Sequence, residues 1–227
     1  MAFGITKAQK NILPLKGFEK INLGPYIQAT LIESEMTGVS ILDNNLPKDQ
    51  LVIKVEGKTL KAYIKNARNI QKDKVNLLVN GKVKIHIKIF YHVLNSLLVK
   101  GNEHITFESD ISCPEFYVRG QGNGAIFFNH LNIDRLRVRL YGNFNINSKG
   151  GKIVYQHFRT HGNTEVDFEN VMSKETHLIM YGNNEIFVNV TDFLKTQGFG
   201  NFSVKYKGKP VLEKGLRLGK GIVRMVQ

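Results

Sequence analysis

The chain has 227 residues, a formal net charge of +13, an apolar content of 42% and one cysteine. This composition suits one or two globular domains and excludes an internal disulfide, and no run approaches the ~20 apolar residues that a transmembrane helix needs. Residues 1–100 carry 16 Lys and Arg against 7 Asp and Glu, but the densest basic run is only Lys72–Lys74. A basic surface attracts polyanions, but the scattered charge favours an ordinary solvated lysine-rich surface, and we expect no nucleic-acid partner.

The first part of the chain is predicted to be an extended N-terminal arm, residues 1–16, followed by short strands over residues 17–96. Hydrophobic runs separated by Gly, Asn, Asp and Pro indicate these strands. The runs are Phe18–Leu23, Tyr26–Ile32, Gly38–Leu42, Leu51–Val55, Thr59–Ile64 and Val75–Val79. Asn80-Gly81 is either a two-residue hairpin turn or the first corner of the repeat that follows, and the sequence does not separate these two interpretations.

A Gly-Asn pair returns about every twenty residues through the rest of the chain. The glycines are Gly101, Gly122, Gly142, Gly162, Gly182, Gly200 and the degenerate Gly219, at intervals of 21, 20, 20, 20, 18 and 19. A fixed period of this length indicates stacked copies of one supersecondary unit, which we call rungs. Glycine permits the sharp corner, and the asparagine amides are expected to hydrogen-bond along the stack.

Apolar residues keep step with the glycines and predict which side chains form the core. One apolar column, at the fourth position after each glycine, includes Ile146 and Val166. A second column, two positions further along the chain, runs from Phe107 to Tyr206 and Met225. Another apolar column, four residues before each glycine, runs from Leu97 to Leu178. Because alternate residues of a strand share a face, all three columns should point inward.

Three segments and the repeat also resemble a known bacterial family. The segments are GFEKI (Gly17–Ile21), KVEGKTLKAYIKN (Lys54–Asn66) and SVKYKGKPVLEKGLRLGKG (Ser203–Gly221). In their order and spacing the chain resembles the auto-transporter adhesin head GIN domain family over about residues 17–225. The resemblance implies an all-β, right-handed parallel β-helix or β-solenoid with a pectin-lyase-like outline. Residues 17–227 would then be one domain, with N-terminal strands at 17–96 and regular Gly-Asn rungs at 97–227.

The candidate ligand site lies just before the Gly-Asn corners, on outward-facing positions. Its residues are Arg119, Arg139, Arg159, Tyr141, His161 and Tyr181. Guanidinium groups match carboxylates and phosphates, and flat rings suit sugar faces. Alternatively, the arginine stems and rings simply cover the sheet, balanced by glutamates. A ligand site would have exposed arginines, and its affinity for anions would rise below about pH 6.5 as His161 gains a proton.

An alternative function, a polysaccharide-active enzyme of the pectin-lyase type, would use Glu165, Asp167 and Glu185. Glu165 and Glu185 share a column, and neighbouring rungs are ~4.8 Å apart, so the pair could act as acid and nucleophile. No further carboxylate, His or nucleophile joins them, so we expect no catalytic residues, metal or cofactor. His157 and His161 do not converge on a strand, and stacking explains His161 better than metal binding.

The first hypothesis for the function is therefore a non-enzymatic module that binds a surface, a partner protein or an acidic glycan. The polysaccharide-active enzyme is the second hypothesis, and a structural spacer is the third. The resemblance implies a cell-envelope or extracellular location and a role in adhesion. The N-terminus lacks the apolar core of a signal peptide, so a cytoplasmic location stays open. Formation of a homo-oligomer is neither required nor excluded.

Overall fold

The protein is all-β, as a computed structural model of residues 12–47, 49–65, 67 and 85–227 shows. The described residues form thirteen strands in one large, mostly parallel sheet. The strands are β1 (Ile12–Pro14), β2 (Lys20–Leu23), β3 (Ile27–Glu33), β4 (Gly38–Asn44), β5 (Leu51–Glu56), β6 (Thr59–Ile64), β7 (Ile85–Tyr91), β8 (Ser96–Gly101), β9 (His104–Phe107), β10 (Ile111–Gly122), β11 (Ala125–Lys207), β12 (Val211–Leu218) and β13 (Gly221–Met225).

The N-terminal strands join the start of the repeat by long-range parallel pairing. β2 lies between β6 and β8, and β3 lies between β7 and β9. β1, at the end of the predicted arm, pairs antiparallel with β4. Five of the predicted strand runs correspond to β2–β6, whereas Val75–Val79 and the Asn80-Gly81 turn lie outside the described residues.

The regular part of the sheet is built by pairing each residue with the residue one rung further on. β10 pairs in parallel with β11 so that Val118 lies beside Val138 and Gly122 beside Gly142. β11 extends over 83 residues, far beyond the usual upper length of about 10 residues, so it must turn corners. The glycine of every Gly-Asn corner has a positive φ, between +97° at Gly182 and +133° at Gly101. The predicted corner role of the glycines is confirmed.

The asparagines that follow these glycines form a hydrogen-bonded ladder along the stack. Asn163 Nδ2 donates to Asn143 Oδ1 at 2.7 Å, and Asn183 Nδ2 donates to Asn163 Oδ1 at 2.8 Å. Asn201 continues the ladder with a 3.2 Å bond to Asn183. This confirms the structural role predicted for these side chains.

The predicted inward columns form the core. Ile146, Val166, Val138 and Phe158 are all at most 1% exposed. The prediction was wrong at the C-terminal rung, where Tyr206 is only half-buried and Met225 is 58% exposed. Among the described strands β13 pairs with β11 alone, so Met225 has a rung on one side only and the apolar column opens to solvent there.

Candidate functional site

Outward-facing residues on the strand before each Gly-Asn corner bring arginines and aromatic rings together. Residues one, three and five positions before the glycine alternate with the buried column, so their side chains share the outer face. We call this surface the arginine–aromatic face, and its residues are Tyr117, Arg119, Arg137, Arg139, Tyr141, His157, Arg159, His161, His177 and Tyr181. All six residues of the predicted ligand site belong to it.

The rings one position before the glycine stack in a continuous column. Tyr141 and His161 have ring centroids 4.9 Å apart and an interplanar angle of 4°. His161 and Tyr181 are 4.5 Å apart at 2°, and Tyr181 and Phe199 are 4.9 Å apart at 6°. This agrees with stacking, not metal binding, as the role of His161.

The arginines lie across these rings rather than projecting freely into solvent. The guanidinium carbon of Arg119 is 5.4 Å from the Tyr141 ring centroid, and that of Arg159 is 5.7 Å from the Tyr181 centroid. Both distances are within the range of cation–π attraction. Arg139 is exposed, as predicted, but Arg119 and Arg159 are half-buried. The expectation of full exposure was wrong for these two, because their stems pack on the ring column.

The positive charges of the face are not neutralised by described carboxylates. The ion pairs among the described residues include none to Arg119, Arg137, Arg139 or Arg159. The nearby Glu115 is bound by Arg135, with a 3.0 Å contact between Oε1 and Nη1. Unlike the ion-paired lysines elsewhere on the sheet, these four cations have no ion-pair partner among the described residues, and Arg137 and Arg139 are exposed.

A basin of about 420 Å³ lies on this face, lined by Arg135, Arg137, Arg139, Tyr155 and His157. Burial lowers the pKa of His157, and repulsion from His177 and from the neighbouring arginines lowers it further. Burial and the neighbouring positive charges thus both disfavour the protonated imidazole.

The pH response predicted for His161 needs correction. Burial, and then the charge of Arg159, lower the pKa of His161 below its ordinary value. Arg159 Nε also donates to His161 Nε2 at 3.3 Å, a contact that requires the neutral ring. Any gain of positive charge at His161 therefore begins at a lower pH than the ordinary value of about 6.5.

The three acidic residues of the alternative enzyme lie on the strand after the Gly-Asn corner, away from the arginines. Glu165 and Glu185 line an open groove of about 920 Å³ along the asparagine ladder. Lys205 Nζ donates to Glu185 at 2.9 Å, and Asn145 Nδ2 donates to Glu165 at 3.3 Å. Asp167 accepts the Glu169 backbone N–H at 3.2 Å. Each of the three carboxylates thus has a separate hydrogen-bond partner.

A family model described as "Putative auto-transporter adhesin, head GIN domain" matches residues 17–210. The chain belongs to this GIN domain family. The match covers most of the chain and includes the N-terminal strands as well as the rungs, which confirms the resemblance drawn from GFEKI, the middle segment and the repeat.

Solved structures share the fold of this GIN domain at low sequence identity. A putative adhesin from Bacteroides fragilis is 21% identical, with a TM-score of 0.80 and 95% of each chain covered. A protein named as a putative lipid binding protein, from Parabacteroides distasonis, is 20% identical, with a TM-score of 0.73, 97% of this chain and 98% of that chain covered. A putative adhesin from Parabacteroides merdae is 18% identical, with a TM-score of 0.69, 96% of this chain and 95% of that chain covered. No curated protein matches the chain in sequence.

Sequence reasoning missed several residues of this GIN domain's arginine–aromatic face. Arg137 and His157 lie five positions before their glycines, and Tyr117 occupies the same column. Arg139 lies over Tyr117, with 5.9 Å from the guanidinium carbon to the ring centroid. The signal was present, since the alternation that placed Arg139 outward places Arg137 outward as well.

Other kinds of site find no support in the described part of this GIN domain. No three His, Cys, Asp or Glu side chains within it could hold a metal ion. Burial raises the pKa of Cys113 to about 11, so its thiol is a poor nucleophile. No helix among the described residues has the length and apolar character to cross a membrane.

Proposed function

We propose that this GIN domain is a non-enzymatic binding module whose arginine–aromatic face holds an acidic glycan at a cell surface. The observation that supports it is the set of four arginines that lack a carboxylate partner among the described residues and lie beside a continuous column of stacked rings. Structural arginines that only cover a sheet would be balanced by neighbouring acids, as Arg135 is by Glu115.

The chemistry of the face suits a carboxylated or sulfated sugar polymer. The guanidinium fork binds such groups with two parallel hydrogen bonds. The ring faces of the column pack on one another, so a sugar would lie along their outer edges while its charged groups bind the arginines. Arg119 and Arg139 pair in register on neighbouring strands, so similar groups recur at ~4.8 Å along the stack. A polymer would engage several of them at once, and its affinity would exceed that of any single contact.

The overall shape that we propose is a right-handed β-solenoid, in a secreted or envelope-associated protein. The parallel register with an offset of 20 residues, as between Val118 and Val138, supports the coil. Parallel crossovers are right-handed in about 98% of known cases. The family description and the two neighbours named as adhesins support the location.

Polygalacturonate binding, measured by isothermal titration calorimetry, tests the proposal, with neutral dextran as the comparison ligand. The Arg137→Gln/Arg139→Gln variant should bind at least about tenfold more weakly, the effect of losing about 1.4 kcal/mol of charge-assisted contacts. Lys152→Gln, which removes an exposed positive charge elsewhere, is the control. Binding should also weaken between 0.05 and 0.5 M salt because exposed charges are screened within about 10 Å at 0.1 M.

Two outcomes would replace this proposal. Equal losses of affinity in the arginine variant and in Lys152→Gln would show that the net charge of the protein alone accounts for the binding. Binding to phosphatidylglycerol vesicles without binding to polygalacturonate would replace the glycan with an anionic lipid headgroup, a ligand class in line with the name of the Parabacteroides distasonis neighbour.

The absence of enzymatic activity is tested with the same polymer. We expect no new reducing ends or unsaturated products from polygalacturonate, with or without calcium, because Glu165 and Glu185 have separate partners. Turnover that disappears in Glu165→Gln would establish the alternative, a polysaccharide-active enzyme.

A further inference from the structure

The groove beside the asparagine ladder has the features of a second binding site. It has a volume of about 920 Å³ and follows the corners from Asn123 to Asn201. These five asparagines are exposed, and four strand intervals of ~4.8 Å give the row a length of about 19 Å. The groove is therefore long and open, a shape that accepts an extended chain better than a small molecule.

The ladder leaves a regular row of unused hydrogen-bonding groups. An amide has two N–H donors and two acceptor lone pairs. Asn163 donates once to Asn143 and accepts once from Asn183, and Asn183 donates once to Asn163 and accepts once from Asn201. Each of these asparagines keeps one donor and one acceptor for another partner. The ladder also fixes the amide orientation, so a ligand would not need to order it.

The walls of the groove combine apolar and polar groups in the manner of a carbohydrate site. Half-buried Phe127 lines one end, and the ring of His104 meets it edge-on with centroids 5.7 Å apart. Asn145 and Glu165 add polar groups beside the ladder. An aromatic surface with a few placed polar groups is typical of small-molecule and sugar pockets.

The charges of the groove are nearly balanced, in contrast to the arginine–aromatic face. Glu185 is paired with Lys205 at 2.9 Å, and Glu165 shares the groove with Lys220. An anion would gain little net attraction here and would meet two carboxylates. The charge balance thus favours a ligand with hydroxyl groups and no net charge.

We infer that this groove binds a neutral glycan chain along the stack axis, with its hydroxyl groups on the free amide positions of Asn163 and Asn183. The inference is independent of the proposed acidic-glycan site, because the two surfaces lie on opposite sides of the Gly-Asn corner and share no residue. A domain with both sites would recognise two kinds of surface polysaccharide.

Four linear neutral hexasaccharides serve as probes: maltohexaose, cellohexaose, mannohexaose and chitohexaose. We expect at least one to bind, more tightly than its disaccharide and with the same affinity at 0.05 and 0.5 M salt. The side-chain amide NMR signals of Asn163 and Asn183 should shift during the titration. This measurement uses the unaltered protein, so it does not depend on the folding of any variant.

Matched substitutions locate the binding. Asn145→Ser and Phe127→Leu should each weaken binding of that hexasaccharide by about tenfold through lost contacts. The controls are Asn147→Ser and Phe187→Leu, which change the same residue types at outward positions that do not line the groove. The Arg137→Gln/Arg139→Gln variant should bind the hexasaccharide normally.

The inference is overturned if none of the four hexasaccharides binds, or if binding leaves the ladder amide signals unchanged. It is also overturned if the control substitutions reduce binding as much as Asn145→Ser and Phe127→Leu do. Loss of binding in the arginine variant alone would assign the neutral glycan to the arginine–aromatic face instead.

Discussion

Replacement of a single corner glycine measures how closely the rungs stack. Gly162 has a φ of +116°, and a Cβ at this position would lie 2.3 Å from the carbonyl oxygen of Gly142 and 2.9 Å from its carbonyl carbon. Non-bonded carbon contacts are best at ~3.5–4.0 Å, so the two backbones would have to separate by about 1 Å. Gly162→Ala therefore combines two costs, a backbone conformation that disfavours a side chain and a steric overlap between rungs.

Gly57 offers a control that carries only the first cost. It has a φ of +56°, and a Cβ there meets nothing within 4 Å. The left-handed conformation costs an alanine about 1–2 kcal/mol, and overlap in a packed interior adds about 1–3 kcal/mol. Alanine also lowers the conformational entropy of the unfolded chain, which offsets about 0.4–1 kcal/mol of these costs in both variants. We expect Gly162→Ala to lose about 3 kcal/mol of unfolding free energy, and Gly57→Ala about 1 kcal/mol.

Urea denaturation followed by circular dichroism gives both values by linear extrapolation. The difference between the variants measures the overlap together with the extra backbone cost at Gly162, whose φ of +116° lies outside the left-handed helical region that Gly57 occupies at +56°. If Gly162→Ala loses no more stability than Gly57→Ala, the rungs are not in direct backbone contact at the corner and the stacking argument fails.

Two further predictions concern the core and the histidines. Ile146→Asp should abolish folding, because Ile146 has no exposed area and an unpaired charge there is very costly. The control Asn147→Asp changes the outward-facing neighbour and should melt like the parent protein. A cooperative melt of Ile146→Asp would refute the assigned core. Burial lowers the pKa values of His157, His161 and His177 in the folded state, so the unfolded chain binds protons first, and stability should hold above pH 7 and fall as the pH drops through about 6.5. Replacing the three histidines with Gln should flatten the change in melting temperature between pH 7.5 and 5.5, and an unaltered slope would contradict the assignment.

The regular part of the fold was predictable because its information is local and repeated. The Gly-Asn spacing identified the corners, and the columns of Ile146 and Phe158 identified the two strand faces. Each rung repeats the same test of the pattern, so one exception does not obscure it. The C-terminal rung is different. Met225 occupies the sequence position of an inward-facing residue, but its exposure depends on whether another strand covers it.

The N-terminal strands and the details of the candidate site depend on contacts that a periodic pattern does not contain. β1 was recognised only as extended chain because its partner, Ser40, lies 28 residues from Ile12. The outward direction of Arg119 followed from alternation, but its burial depends on how its stem packs over Tyr141 on the next rung. The pKa of His161 likewise depends on a side chain, Arg159, whose conformation the sequence does not specify.

The two kinds of strand pairing imply an order of folding. In the rungs, paired residues such as Val118 and Val138 are 20 positions apart, whereas Ala29 pairs with Ile105 over 76 positions. Closing the longer loop costs about 1 kcal/mol more chain entropy, so the rungs should nucleate first and present an edge to which β2 and β3 dock. During synthesis, however, β2 and β3 leave the ribosome before that edge exists. Until β8 and β9 form, β2 and β3 can pair only with β6 and β7, so one edge of each strand stays open. This is the interval in which the protein is most exposed to aggregation and to chaperones.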